Sequence, residues 1–339
     1  MDAAPAEAVR TGAGTAVGLR FGIPGRGPAL GAIMKAITYS AYGTPATLQL
    51  VDLPQPKVGP GEVLVRVKAA GVNPVDWKLA AGYLDPILEV RYPVIPGWDV
   101  AGVVEAVGED TFDYAVGDEV YGYVRKEWVE LGTYAELVSA PVRTLARKPR
   151  ELSFEQAAGI PLAGLTAYQS LTRAGLKAGE TVVIHSAAGG TGSFGVQIAV
   201  ALGLRVIGTA GAHNHDYLRS LGAEPVLYGE GLADRIRELA PDGIDAGLDF
   251  YGDDVIETLQ SLVRERHRVV SIADYHAAAK GAHQLWVRPD TADLTFLAEL
   301  ADAGKLTVNV EHALPLAEAA RAWELSAAGR TRGKIVLTV

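Results

Sequence analysis

From residue 34 onward, apolar and polar positions alternate in short runs closed by Gly and Pro, at residues 63–67, 100–107, 119–124 and 133–138. Period-two alternation sends successive side chains to opposite faces, so these runs predict strands of a β-rich, barrel-like unit with little helical patterning. Near Pro161 the pattern changes. Strand-like runs at 181–185, 204–208, 225–228, 244–249 and 268–272 alternate with helix-like runs at 193–202, 216–221, 232–239 and 254–263. Strands separated by helices need crossover connections, which predicts an α/β, doubly wound parallel sheet. After Arg288 come a helix-like stretch at 294–303, a strand at 306–310, a helix at 316–327 and a closing strand at 334–339. That last strand has little to pair with at the edge of a wound sheet, but it could return to the β-rich unit. The expected division is therefore 34–160, 161–288 and 289–339, with the first and last segments forming one domain around the second.

Composition narrows the function classes. The chain has 339 residues, 49% hydrophobic and 21% charged, which suits two folded domains. Its net charge of −9, from 31 Lys+Arg against 40 Asp+Glu, disfavours a nucleic-acid partner. Apolar runs are broken too soon to cross a bilayer, which leads us to expect a soluble, cytoplasmic protein. Residues 1–33 are rich in Ala, Gly and Pro and hold no signal-peptide core, so they read as a flexible extension, with Met34 a possible functional start. Zero cysteines exclude disulfides, thiolate catalysis and any zinc site that needs sulfur.

The strongest local signal is Val182-Val183-Ile184-His185-Ser186-Ala187-Ala188-Gly189-Gly190-Thr191-Gly192-Ser193-Phe194-Gly195, an apolar strand, a glycine turn and the start of a helix. Glycines allow a sharp turn and close approach to a pyrophosphate, and the free N–H groups of the helix start receive its charge. A glycine-rich turn alone is weak, but here a strand precedes it, a helix follows and a second strand comes at βαβ spacing. NAD sites place a carboxylate about 20 residues after the glycines to bind the ribose hydroxyls. In this chain that place falls on Ala210, in Thr209-Ala210-Gly211, so NADPH is the favoured cofactor. His213, Asn214 and Arg219 could contact a 2′-phosphate; equally, Asn214 could cap the following helix and His213 lie solvated.

These residues resemble the medium-chain dehydrogenase/reductase superfamily, in its zinc-free NADPH:quinone-reductase-like branch, over about 34–339. The resemblance rests on Gly59-Pro-Gly-Glu-Val-Leu-Val-Arg-Val, Ala70-Gly-Val-Asn-Pro-Val-Asp, Pro96-Gly-Trp-Asp-Val-Ala-Gly-Val-Val, Val116-Gly-Asp-Glu-Val, Gly132-Thr-Tyr-Ala-Glu, Leu165-Thr-Ala-Tyr, the glycine loop and Gly333-Lys-Ile-Val-Leu. It implies a GroES-like β-barrel catalytic domain completed by the C-terminal tail, an intervening Rossmann domain, a site between the two, and a homodimer or tetramer, of which we take the homodimer as the expectation. Zinc-dependent members carry Cys, His and Cys where this chain has Asn73, Trp98 and Leu162, a set unable to form that catalytic site. By resemblance, Gly189, Gly190 and Gly192, flanked by Ala188 and Thr191, cradle the pyrophosphate. Thr166 lies against the nicotinamide, Tyr228 near the 2′-phosphate, and Ser271 and Ile272 beside the carboxamide. Glu265-Arg266-His267 departs from the glycine pair common before that strand.

Hydride transfer without a metal requires a small-molecule acceptor already polarised by conjugation, as in a quinone or an enone, and donors for the developing enolate. Asn73 is one such candidate, although Asn-Pro also favours a turn. The proton could come from water or from a tyrosine, for which Tyr83 is the candidate. Asp76 and Asp99 could act as acids or as loop anchors. Lys78, Trp98, Asp99 and Tyr168 are candidates for the substrate pocket, or for packing. Two other readings stay open: a reductase or reductive cyclase acting on a polyene or enone intermediate, and a non-catalytic NADPH-binding sensor.

Overall fold

The computed structural model describes residues 32–252 and 254–339. The expected extension therefore lies outside the described residues up to position 31, while Ile33 already opens β1 (Ile33–Thr38), which pairs antiparallel with β2 (Gln49–Pro54). The first lobe continues through β3 (Glu62–Val72), α1 (Pro74–Ala80), β4 (Val90–Ile95), β5 (Asp99–Val107), β6 (Glu119–Tyr123), β7 (Val129–Leu131), β8 (Leu137–Pro141), β9 (Leu145–Arg147) and α2 (Phe154–Ala158). The 11-residue β3 is its spine, pairing antiparallel with both β5 and β8. Helix was expected to be scarce here, but Asn73-Pro74 does more than turn the chain. Pro74 takes the first helical position of α1, where its missing N–H costs nothing, and the Asp76 carboxylate accepts the Asn73 N–H at 2.9 Å.

The second lobe comprises α3 (Pro161–Arg173), β10 (Thr181–His185), α4 (Gly190–Ala201), β11 (Arg205–Thr209), α5 (His215–Ser220), β12 (Glu224–Val226), α6 (Leu232–Leu239), β13 (Ala246–Asp249), α7 (Val255–Gln260), β14 (Val269–Ser271) and β15 (His283–Gln284). Its six strands are all parallel, in the order β12-β11-β10-β13-β14-β15, the doubly wound order of a Rossmann sheet. Alternation explains how both faces are covered. Val182, Ile184, Val206 and Val270 join the core under α3 and α4, while Val183, Ile207 and Val269 join a second core with Ile236 and Leu259 of α6 and α7. Helix α3 escaped the periodicity reading because its Ala, Gly, Leu and Thr residues form no narrow apolar stripe; most of it is buried.

The tail adds α8 (Thr291–Asp302), β16 (Val310–Pro315), α9 (Ala319–Ala327) and β17 (Lys334–Thr338). The strand expected at 306–310 begins only at Val310. β17 does return to the first lobe, pairing antiparallel with β3 through Ile335–Val72 and Leu337–Ala70, and β16 extends the sheet beyond it. No described helix is long and apolar enough to cross a membrane.

Candidate active site in the interdomain cleft

The glycine loop leaves β10 at Ser186, whose φ of +61° puts a non-glycine residue in the left-handed region. Its N–H donates to Thr209 Oγ1 at 3.0 Å, a bond from the end of the neighbouring strand that holds the turn. A Cβ on Gly192 would come within 2.1 Å of the Ser186 carbonyl oxygen, so only glycine lets α4 start this close to the strand. Gly189, Gly190 and Thr191 are partly exposed and line a cleft of about 580 Å³ between the two lobes. This cradle, roomy only while it lacks side chains, fits a dinucleotide pyrophosphate.

Against this loop, with Lys334 Cδ 3.2 Å from a Cβ built on Gly190, lies a buried polar cluster assembled from distant parts of the chain. Asn73 Nδ2 donates to Asp99 Oδ2 at 2.8 Å, Lys334 Nζ donates to Asn73 Oδ1 at 2.5 Å, and the Leu162 N–H donates to Asp99 Oδ1 at 2.8 Å. Tyr134 donates its hydroxyl to Asp76 Oδ2 at 2.8 Å. Asp76 Oδ1 is buried without a hydrogen-bond partner. Burial pushes Asp76 up to about 7, against the pull of the Asn73 N–H, Tyr134 and Lys334. Asp99 is pushed up to about 6 by burial, opposed by Lys334 and Asn73. The Lys334 ammonium is held down by burial, with Asp99 and Asp76 drawing it back. Two carboxyls and one ammonium therefore share a dry pocket, and the ammonium fixes which way the Asn73 amide faces.

The structure brings Asn73, Thr166, Lys78, Trp98, Gly189, Gly190, Thr191, Gly192 and Ile272 to the same cleft. Thr166 spends its hydroxyl on the Leu162 carbonyl, at 2.6 Å, so its role there is one of shape. Lys78 is half-buried, its pKa lowered by desolvation. Three expectations, Tyr83 as the proton source and Asp99 and Tyr168 in the pocket, need correction. Tyr83 is 67% exposed and does not line the cleft, because the turn after α1 points it to solvent. Asp99 is fully buried beneath Asn73, an anchor and not a lining residue. Tyr168 packs its ring on Phe296 of α8, 4.7 Å between centroids, and faces away from the cleft.

Similar sorting applies around the sheet edge. Thr209 is buried and committed to Ser186 and His185, and the buried Ser271 bonds Asp249, so both support neighbouring loops. Ala188 is buried behind the glycine turn. Ala210 and Gly211 follow β11 beside the exposed His213 and the half-buried Asn214, and the Tyr228 ring approaches to 3.9 Å from a Cβ built on Gly211. Arg219 is turned away, paired with Asp216 at 2.6 Å on the outer face of α5. Sequence reasoning missed Lys334 and the aromatic mouth formed by Tyr251, Tyr275 and Trp286. The only signal for Lys334 was a lysine opening an otherwise apolar closing strand.

Residues 59–150 match the family described as alcohol dehydrogenase GroES-like domain, and residues 221–337 match zinc-binding dehydrogenase. The chain is 36% identical over 330 residues to a quinone oxidoreductase of Pseudomonas aeruginosa, covering 89% of this chain and 99% of that one. It belongs to the quinone-reductase-like branch of the medium-chain dehydrogenase/reductase superfamily. Among other members, it is 32% identical to an NADPH-dependent alkenal/one oxidoreductase of Arabidopsis thaliana, covering 90% of this chain and 79% of that one. The quinone oxidoreductase structure from Coxiella burnetii superposes with a TM-score of 0.80 at 34% identity, covering 91% of this chain and all of the other. The fold is thus the superfamily's GroES-like barrel with a Rossmann cofactor domain, and the chain is an oxidoreductase with a nicotinamide cofactor and a small-molecule substrate. Zinc, which the second family description names, does not fit the metal-ligand positions of this member. Asn73 is hydrogen-bonded to an ammonium, Trp98 presents an indole packed on Tyr123, and Leu162 offers only its N–H.

Proposed function

We propose that this reductase uses NADPH to reduce a conjugated carbonyl or quinone. The observation that carries the reading is the charge of the cleft: in a protein of net charge −9, its lining residues include Lys78, Lys334 against the glycine loop, and no carboxylate, together with Trp98, Tyr123, Tyr251 and Trp286. Such a site suits a flat acceptor on which negative charge develops. NADPH, when bound, supplies the hydride. Asn73, held by Lys334 and Asp99, is preorganised with its amide oriented, and any further donation from Nδ2 involves no rearrangement. Lys78 Nζ, partly desolvated, presents protons to an acceptor oxygen and gives one up more readily than a solvated lysine. The aromatic mouth excludes water from the acceptor face. Ala210, where a carboxylate would repel a 2′-phosphate, supports NADPH over NADH. Action as a cytoplasmic homodimer is part of the same proposal, and light scattering on the purified protein tests the assembly.

The test is turnover of C4-deuterated NADPH with a simple naphthoquinone and a short enone. Deuterium is expected on the β-carbon of the reduced enone, together with steady NADPH oxidation. Tight NADPH binding without turnover on either acceptor would replace this reading with that of a binding protein.

A further inference from the structure

Strand β6 ends at Tyr123, which pairs with Asp99 of β5, and the Val124 N–H donates to the Trp98 carbonyl at 2.7 Å. The chain thus leaves the barrel sheet at the wall of the cleft, and Arg125 is the next residue. Its guanidinium carbon lies 5.9 Å from the Tyr123 ring centre and 6.0 Å from that of Trp286, and both rings line the cleft. Tyr123 belongs to the first lobe and Trp286 to the segment that follows β15. Arg125 therefore sits in the seam between the lobes.

Each of the first lobe's other described arginines, Arg66, Arg91, Arg143, Arg147 and Arg150, pairs with a carboxylate. Arg125 pairs with none among the described residues, though the chain carries 40 acidic side chains. It is half-buried, its Nε is buried without a hydrogen-bond partner, and its polar contact is with the Tyr123 hydroxyl. A buried donor left unmet costs about 1–3 kcal/mol, and the two aromatic rings offset only part of that. An anion entering this cleft competes with no internal carboxylate for the guanidinium. We infer that Arg125 is a specificity-determining residue that takes the carboxylate of an acceptor whose conjugated carbonyl lies deeper in the cleft. A carboxylate fits better than a phosphate. One guanidinium matches one negative charge, its planar fork matches a planar anion, and a flat acceptor can lie along Trp286 and Tyr123. The inference rests on the reading of the cleft as that of a conjugated-carbonyl reductase and names acidic enones as its substrate class. Because the carboxylate is unchanged by hydride transfer, its grip contributes alike to ground and transition states and shows in KM more than in kcat.

Full-length wild type, Arg125→Gln, Arg125→Lys and Arg143→Gln are assayed with saturating NADPH on para-carboxybenzylidene acetone and its methyl ester, which differ in charge at a point remote from the reacting carbon. Wild type is expected to favour the acid by about tenfold or more in kcat/KM. Arg125→Gln should lose most of that advantage through a higher KM for the acid, and Arg125→Lys should fall between, because an ammonium lacks the planar fork. Arg143→Gln removes an exposed charge of the same lobe and should keep the advantage. A wild type that reduces both acceptors equally well, or the ester better, overturns the inference and leaves the reductase reading standing. That measurement needs no variant, so it decides the matter even where Arg125→Gln is unstable. An acid advantage preserved in Arg125→Gln, or lost equally in Arg143→Gln, overturns the inference as well. Reduction of neither acceptor nor of a simple naphthoquinone, with NADPH bound, overturns the reductase reading itself.

Discussion

Two polar regions, one at Asn73 and one beyond the end of β11, are built on opposite terms. At the Asn73 end nearly every polar atom is buried and already paired, with Asn73, Asp99 and Lys334 at 1%, 0% and 4% exposure. Beyond the end of β11 His213 and Tyr228 are exposed, and Arg332 is half-buried, its Nε bonded to Asn214. A dry network in which each group fixes the next orients a donor before substrate arrives, and it tolerates little change. A wet, loosely filled site changes affinity by modest factors when a single residue is replaced. Chemistry is thus expected to depend on the first end and cofactor choice on the second.

Replacing Lys334 with Met breaks the buried end most severely, since it strands Asp99 and Asp76 without their cation. Removing one partner of a buried charge set costs about 3–5 kcal/mol, so chemical denaturation should show a loss of that order; a loss under about 1 kcal/mol would mean the network is wetter than drawn. Asn73→Ala should lower kcat about 100-fold and leave the dissociation constant for NADPH nearly unchanged. A change in that constant instead would move Asn73 into cofactor binding. Asp76→Asn sharpens the comparison through pH. With its folded pKa raised to about 7, the carboxyl keeps a proton that the unfolded chain releases above about 4, so its contribution to stability is full at low pH and lost as pH rises through about 7. The melting temperature of the variant relative to wild type should therefore rise between about pH 4 and pH 7 and level off above, whereas a flat difference would place an unperturbed carboxyl at this position. The smallest effect is expected at Tyr83, exposed on the turn after α1: Tyr83→Ala should shift stability by less than about 0.5 kcal/mol and spare kcat.

The wound sheet was legible because its signals are local. Strand, glycine turn and helix lie within 182–195, and alternation along β10 and β11 records which face each residue covers. The return of the closing strand was foreseeable for a different reason, since an apolar strand must find an edge. The buried cluster was only partly legible. Asn73 and Lys334 stand 261 positions apart, and no periodicity links an asparagine to a lysine across that distance. Asp76 and Asp99 were noticed as carboxylates, but whether an acid lines a cleft or anchors a loop depends on packing that a sequence does not display. Arg219 and Arg332 make the same point at the other end. Arg219 sits near the glycine loop in sequence yet is paired outward with Asp216, while Arg332 arrives from the tail.

Because β17 closes the first lobe and carries Lys334 at its start, the order of synthesis sets the order of competence. A chain released from the ribosome before residue 334 would hold an intact glycine loop beside two buried acids with no counter-ion, and β3 would keep an open edge where β17 belongs. Truncated copies should therefore be insoluble or cleared by proteolysis, not slow enzymes, and a fusion partner placed at the C-terminus must leave this last strand free to dock.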